Sequence, residues 1–216
     1  MRLDDLGDVY WPMLELREQA PRPRSEVVVM GWRERTPPSG PWARHVARHL
    51  AGASRVLDVG AGDRAWQGLL ERLGVTASYE SCDPERRHAH EHDDFLAISG
   101  RYDAVLMLDL LEHLPLEQGL RFIAHAAEVV EPGGVLVVST PNPAHPTSFL
   151  ATDVTHVQPW PAHDLYGLLT LAGFEVEVHR LLHCAAARRG LVPAQKALAR
   201  ILGVDPADHL LVFART

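Results

Sequence analysis

The chain contains 216 residues, of which 46% are hydrophobic and 23% are charged. These are the proportions of ordinary globular domains, which disfavours a disordered, collagen-like or coiled-coil chain. With 21 basic and 28 acidic residues, the formal net charge is −7 at pH 7, and this argues against nucleic acid or an anionic membrane surface as a partner.

The cysteines, the N-terminal residues and the uncharged stretches predict the cellular compartment of the protein. The two cysteines match no zinc or redox spacing, as expected in a reducing compartment. The first residues are acidic and no apolar segment follows them, unlike a signal peptide. The stretch of residues 133–152 carries no formal charge but contains three prolines, which is unlike a membrane helix. We therefore expect a cytoplasmic protein without a membrane span.

Two regions differ in their patterning. Residues 1–40 are broken by prolines and predict an irregular N-terminal arm or lid, whereas residues 41–216 predict one domain of alternating helices and strands. This alternation predicts an α/β fold with a doubly wound, mostly parallel sheet, in which the last two strands pair antiparallel at the edge. The predicted helices begin near residues 41, 63, 116, 162 and 192, and the predicted strands cover residues 56–59, 75–82, 102–108, 135–139, 174–182 and 209–214, with a short segment at 95–98.

A glycine turn follows the first predicted strand of the domain. The string VLDVGAGD places Asp58, Gly60 and Gly62 between this strand and the next helix, where a doubly wound sheet binds ligands. Glycine lets a ligand approach the backbone, and a carboxylate can hold an ammonium group or a water molecule. Asp83 ends the next strand, where a carboxylate accepts hydrogen bonds from ribose hydroxyls. Because Ala65 stands at the third position of a dinucleotide pattern, the turn alone does not exclude NAD.

Five further segments extend the pattern along the chain. They are CDPE, DDFLAI, YDAVLMLDLLEHL, VVEPGGVLVVSTPNP and LAGFEVE. In order and spacing, these segments and the glycine turn resemble class I S-adenosylmethionine-dependent methyltransferases across roughly residues 42–182. The resemblance implies a Rossmann-like fold, S-adenosylmethionine as cofactor, and methyl transfer to a small-molecule or saccharide acceptor, most simply at a hydroxyl.

The same resemblance implies the donor pocket. Two departures from the family pattern are Asp63, which stands where many members have a third glycine, and the short stretch between Asp83 and Asp94. The implied contacts are the methionine moiety with Asp58, Gly60 and Gly62, the ribose with Asp83, the adenine with Asp94 and Phe95, and the amino group with the backbone of Leu108 and Asp109.

The segment after Leu108 suggests a metal. Asp109, Glu112 and His113 form D-x-x-E-H, which resembles the E-x-x-E-H of ubiquinone-pathway O-methyltransferases. The resemblance implies a divalent ion such as magnesium held by these three side chains, since residues three and four apart share one side of a helical turn. The alternative is that Glu112 and His113 only shape the pocket.

The string DVTHVQPW at residues 153–160 predicts part of the acceptor site. Similar strings occur at this place in methyltransferases associated with polysaccharides, which implies a catalytic His156, with His113 as the other candidate base. Trp11, Trp32 and Trp160 are candidate faces for a sugar ring. The alternative is that His156 pins the loop and Trp160 fills a gap in the core.

Three other interpretations stay open. HAHEHDD at residues 88–94 resembles a metallo-β-lactamase-like metal motif, although a solvated histidine-rich turn explains it as well. An NAD-dependent oxidoreductase and a non-catalytic S-adenosylmethionine-binding module are the other two. The apolar face of residues 192–202 predicts core packing or the contact of a homodimer, with a helix lying on a membrane surface as the further alternative.

Overall fold

A computed structural model of the chain describes residues 6–21, 24–30, 41–145, 153–185 and 190–216. Two short 3₁₀ turns, Phe95–Ala97 and Leu111–His113, lie between regular elements. The helices are α1 (Leu6–Glu18), α2 (Pro41–His49), α3 (Ala65–Arg72), α4 (Leu116–Val129), α5 (Ala162–Leu171) and α6 (Val192–Leu202). The strands are β1 (Arg24–Met30), β2 (Arg55–Val59), β3 (Ser78–Cys82), β4 (Tyr102–Leu108), β5 (Val130–Pro141), β6 (Glu175–Ala185) and β7 (His209–Arg215).

The strands form one sheet in the order β1-β6-β7-β5-β4-β2-β3. Strand β7 runs antiparallel to both of its neighbours, and the other described pairings are parallel. The Rossmann-like α/β class is thereby confirmed, together with the antiparallel pairing of the last two strands. Strand β7 lies two places in from the edge, because β6 and then β1 extend the sheet beyond it.

Helices cover both faces of the sheet. Strand β4 is the clearest case, since Ala104 and Leu106 pack with α2 and α3, whereas Val105 and Met107 pack with α1, α4 and α5. All four side chains are 0% exposed. A strand with helices on both faces must be apolar on both sides, which explains the unbroken hydrophobic run in this part of the sequence.

The arm is more regular than the sequence predicts. Helix α1 packs on α5, where a Cβ at Gly167 would lie 2.7 Å from the Met13 carbonyl oxygen, and β1 pairs in register with β6. The prediction of an irregular segment is therefore wrong for these residues, because pairing with a sheet edge and packing on α5 override the local proline signals. Trp11 is 68% exposed, and Trp32 lies outside the described residues.

Helix α6 has little contact with the rest of the described chain. Val192 and Ala199 are buried, whereas four large apolar side chains are exposed: Leu191, Leu198, Ile201 and Leu202. Core packing therefore explains only part of the apolar pattern, and the homodimer contact stays a prediction. None of the described helices is both long and apolar enough to cross a membrane.

Close packing of α4 on the Trp160 ring gives a stability prediction. A Cβ at Gly119 would collide with this fully buried ring, so Gly119→Ala should lower the free energy of unfolding by about 1–3 kcal/mol. The matched control is Gly68→Ala in α3, where the nearest atom is the flexible end of Arg72 and better helix propensity should add about 0.5–1 kcal/mol. Equal effects of the two substitutions in denaturant unfolding would contradict the packing argument.

Candidate functional site

The predicted site residues meet at one edge of the sheet. Strands β2, β3, β4 and β5 are parallel, so their carboxyl ends lie side by side, and the register pairs Val59 with Cys82 and Leu108 with Ser139. Strand β7 runs the other way and begins at the same edge, with His209 opposite Pro141. Gly60, Asp83 and Asp109 each follow one of these strand ends, at the place where such sheets bind ligands.

The glycine turn is tied to the end of β3. Gly60 and Gly62 have φ values of 75° and 51°, a backbone that glycine adopts without strain. The Gly62 N–H donates to Asp83 Oδ2 at 2.9 Å, and the Glu85 N–H donates to Asp83 Oδ1 at 2.8 Å. A Cβ at Gly60 would lie 2.7 Å from Leu110 Cδ1. Each Asp83 oxygen keeps a further lone pair, so the carboxylate both shapes the turn and can accept ligand hydroxyls.

Asp58 lies buried beneath this turn. It is 2% exposed and accepts a hydrogen bond from the Tyr79 hydroxyl. Burial raises the pKa of Asp58 to about 7, and the Tyr79 hydrogen bond offsets only part of that rise. A cationic group placed nearby would favour the ionised form, so this carboxyl is suited to respond to an ammonium group.

Asp94 and Phe95 occupy different environments. Asp94 Oδ1 accepts from the Leu96 N–H at 2.9 Å and so caps the short 3₁₀ turn. The Phe95 ring is 2% exposed and packs against Phe122 and His125, with ring centroids 5.0 and 4.9 Å away. The Phe95 ring is thus part of the core, which leaves its backbone and the Asp94 carboxylate for any contact with adenine.

Asp109 forms a half-buried ion pair with His209 that the sequence did not indicate. Its Oδ1 accepts from the Ser139 hydroxyl at 2.7 Å and lies 2.8 Å from His209 Nε2. Burial alone would raise the pKa of Asp109, but the charge and hydrogen bond of His209 outweigh it and lower the pKa. Burial likewise opposes the charge on His209, and Asp109 more than offsets it, so the pKa of His209 is raised. Only the antiparallel course of β7 brings the two together.

The structure assembles a different metal-ligand set from the predicted one. Glu112, His113 and His156 offer ligand atoms that all lie within 4.8 Å of one another, and Asp109 is not part of this group. Glu112 is 0% exposed, and within the described residues neither of its carboxylate oxygens makes a hydrogen bond of normal geometry, although the Thr140 hydroxyl is near enough to lower its pKa slightly. Burial, followed by the charge of Asp109, raises the pKa of Glu112 to about 7. A buried carboxyl without a partner is costly, and a bound cation would satisfy it.

The loop of residues 153–160 is fastened to the turn that carries Glu112. The N–H groups of Val157 and Gln158 donate to the Glu112 carbonyl oxygen at 2.8 and 3.1 Å. The Trp160 indole donates to the Leu111 carbonyl oxygen at 2.9 Å. Trp160 is 1% exposed, so its assignment as a sugar platform is wrong because the ring fills the core. The same contacts bring the rings of His113 and His156 to 4.8 Å.

The histidine-rich segment serves a structural purpose. Its side chains bind back to β3: His90 Nδ1 lies 3.0 Å from Ser81 Oγ, and His92 Nε2 lies 3.0 Å from Glu80 Oε2. Glu91 accepts from the backbone and the hydroxyl of Ser81, at 2.8 Å in each case. Within the described ranges, no group with metal-ligand spacing includes these histidines, so the hydrolase interpretation has no support.

Comparison with known proteins identifies the family. A family model described as a methyltransferase domain matches residues 31–179, more than half of the chain. The chain belongs to this family. The ubiquinone biosynthesis O-methyltransferase of Xanthomonas campestris pv. campestris (strain B100) is 33% identical over 113 residues, covering 44% of this chain and 46% of that protein. The match thus spans about half the length of this curated relative.

Solved structures agree with the fold. An S-adenosylmethionine-dependent methyltransferase from Archaeoglobus fulgidus has a TM-score of 0.66 at 18% identity, over 81% of this chain and 91% of that one. The 1,6-didemethyltoxoflavin-N1-methyltransferase of Burkholderia thailandensis, solved with 1,6-didemethyltoxoflavin and S-adenosylhomocysteine, has a TM-score of 0.55 at 18% identity, over 82% and 77%. At these identities the likeness shows a shared fold.

The double role of Asp83 yields a binding prediction. Asp83→Ala removes both the predicted ribose acceptor and the hydrogen bond to Gly62, so affinity for S-adenosylhomocysteine should fall by about 1–3 kcal/mol. Asp83→Asn keeps an acceptor and should lose less, and the exposed Asp93→Ala is the matched control. Calorimetry that finds wild-type affinity in Asp83→Ala would remove this residue from the donor site.

Proposed function

We propose that the chain transfers the methyl group of S-adenosylmethionine to a hydroxyl of a small-molecule or saccharide acceptor. The observation that carries the proposal is the pair of imidazoles, His113 and His156, held beside the sheet edge where the glycine turn and Asp83 would hold the donor. Family membership and the name of the curated O-methyltransferase relative support the same chemistry.

The proposed donor site uses the groups at the carboxyl ends of the strands. Gly60 and Gly62 leave room for the methionine moiety, and the buried Asp58 carboxyl would ionise beside its ammonium group. Asp83 accepts the ribose hydroxyls, and Asp94 together with the Phe95 backbone meets the adenine. The Leu108 and Asp109 backbone would face the amino group, while the Asp109 side chain stays paired with His209.

The reaction itself asks mainly for alignment. An acceptor oxygen attacks a methyl carbon that already carries a sulfonium leaving group, so the protein accelerates transfer by holding the two in line at about 3 Å. A hydroxyl must lose its proton as the new bond forms, and an imidazole is a suitable base near neutral pH. His113 and His156 are the candidates for that step.

The acceptor is proposed to be small. A net charge of −7 disfavours a polyanion such as RNA, and the exposed Trp11 of α1 is the remaining described aromatic candidate for an acceptor contact. One fold neighbour, the 1,6-didemethyltoxoflavin-N1-methyltransferase, is named for methylation at nitrogen, so the fold does not decide the methylated atom, and the histidine pair is what favours oxygen. An oxidoreductase is disfavoured by the family match.

Loss of the base gives the test of this proposal. His156→Ala and His113→Ala should be compared one at a time, and the one that removes the base should lower kcat by about 10²-fold or more. Donor affinity should stay unchanged, because proton transfer acts in the transition state. The exposed His163→Ala in α5 is the control. Wild-type turnover in both variants, across a panel of saccharides, phenols and amines, would overturn the assignment, and no turnover with any acceptor would favour a binding module.

A divalent ion at Glu112, His113 and His156 is a second candidate, favoured by the unpartnered Glu112 carboxylate. One carboxylate and two imidazoles suit manganese, cobalt or zinc better than the magnesium suggested by the sequence. When bound, such an ion would polarise the acceptor oxygen. The three side chains would hold the ion in place.

Chelation distinguishes the two candidates. If an ion is required, excess chelator should abolish turnover and one of these metals should restore it, while Glu112→Gln should weaken metal binding measured by calorimetry. Full activity in excess chelator would leave Glu112 as a wall of the pocket and His113 or His156 as a metal-free base.

A further inference from the structure

A chain of hydrogen bonds links the 153–160 loop to His113. The Thr155 hydroxyl oxygen lies 2.7 Å from Asp153 Oδ1 and 2.9 Å from His113 Nδ1. The Thr155 N–H also donates to Asp153 Oδ1 at 2.8 Å. The Thr155 carbonyl oxygen lies 3.3 Å from the same His113 nitrogen. Thr155 therefore stands between a carboxylate and an imidazole, with two of its oxygens facing Nδ1.

The number of available protons determines which group donates and which accepts in each of these hydrogen bonds. A hydroxyl has one hydrogen to donate, and an ionised carboxylate can only accept, so the Thr155 hydrogen goes to Asp153. The Thr155 hydroxyl oxygen then presents a lone pair to His113, and the carbonyl oxygen presents another. Two acceptors facing Nδ1 require a hydrogen on Nδ1. Neutral imidazole carries only one N–H, so Nε2 must hold the lone pair.

We propose that Asp153 and Thr155 are positioning residues that hold neutral His113 as the Nδ1–H tautomer, with Nε2 left to take the acceptor's proton. A histidine that acts as a base needs its lone pair on the nitrogen that faces the substrate. The hydrogen-bond partner of the other nitrogen decides which nitrogen carries the proton and which carries the lone pair. The edge-on contact with the His156 ring, at 4.8 Å and 73°, restrains the His113 ring from another side. The catalytic part of this inference rests on the proposed function.

The tautomer can be measured without any turnover. Nitrogen-15 NMR of histidine-labelled protein, recorded in chelator at a pH where His113 is neutral, should show a protonated Nδ1 and an unprotonated Nε2. His113→Gln identifies the signal among the 13 histidines. Thr155→Val removes the hydroxyl and should shift the population toward Nε2–H, whereas Thr155→Ser should keep the wild-type form. The matched control is Val154→Ala, which changes a 96% exposed neighbour.

Turnover provides the second readout. Thr155→Val should lower kcat by about tenfold or more with donor affinity unchanged. Thr155→Ser, which keeps the hydroxyl, should have the wild-type kcat. An Nε2–H tautomer in the wild type, or an unchanged tautomer in Thr155→Val, would overturn the inference whatever the activity. If the tautomer behaves as stated but His113→Ala turns over normally, the failure lies in the proposed base and not in the hydrogen-bond chain.

Discussion

The docking of the 153–160 loop on the Leu111–His113 turn is the contact on which the acceptor side of the site depends. Two backbone N–H groups meet the Glu112 carbonyl oxygen and the Trp160 indole meets that of Leu111. The Leu111 carbonyl oxygen also accepts from the Leu114 N–H at 3.1 Å, but the partners of the Glu112 carbonyl oxygen both come from the loop, so the loop satisfies a group that would otherwise need water. Because Trp160 is anchored in the core, His156 is held beside His113 by packing as well as by hydrogen bonds.

The three carboxyl groups Asp58, Asp109 and Glu112 at this edge of the sheet differ in the direction of their pKa shifts. Burial is outweighed at Asp109 by His209, which lowers the pKa of Asp109, whereas burial raises the pKa values of Asp58 and Glu112 to about 7. A carboxyl buried without a cation is held near neutrality until one arrives. In the proposed site Asp58 would respond to the donor's ammonium group and Glu112 to a divalent ion, so each raised pKa marks a position suited to a positive charge from outside the chain.

The sequence predicts what depends on short-range pattern. The apolar run of β4, the glycine turn and the terminal apolar strands each carry a local signal, and the structure has all three. The sequence also predicts a helix start near residue 63, and α3 begins at Ala65, whose N–H donates to Asp63 Oδ1 at 3.0 Å, with Arg64 in a left-handed conformation before it. What the sequence misses depends on distant partners: β1 is ordered by β6, and His209 reaches Asp109 across 100 positions.

The metal motif shows why spacing alone is insufficient. D-x-x-E-H would converge if all three residues lay on one regular helical turn, but Asp109 has a φ of 53° and precedes the 3₁₀ turn. Its side chain consequently lies against Ser139 and His209, and the loop supplies His156 as a neighbour for Glu112 and His113. In the proposed tautomer the Nε2 lone pair of His113 can serve one partner at a time, so removing a proton and binding an ion would be exclusive uses of it. With an ion bound there, His113 cannot be the base, and the polarised acceptor would lose its proton to another group or to solvent.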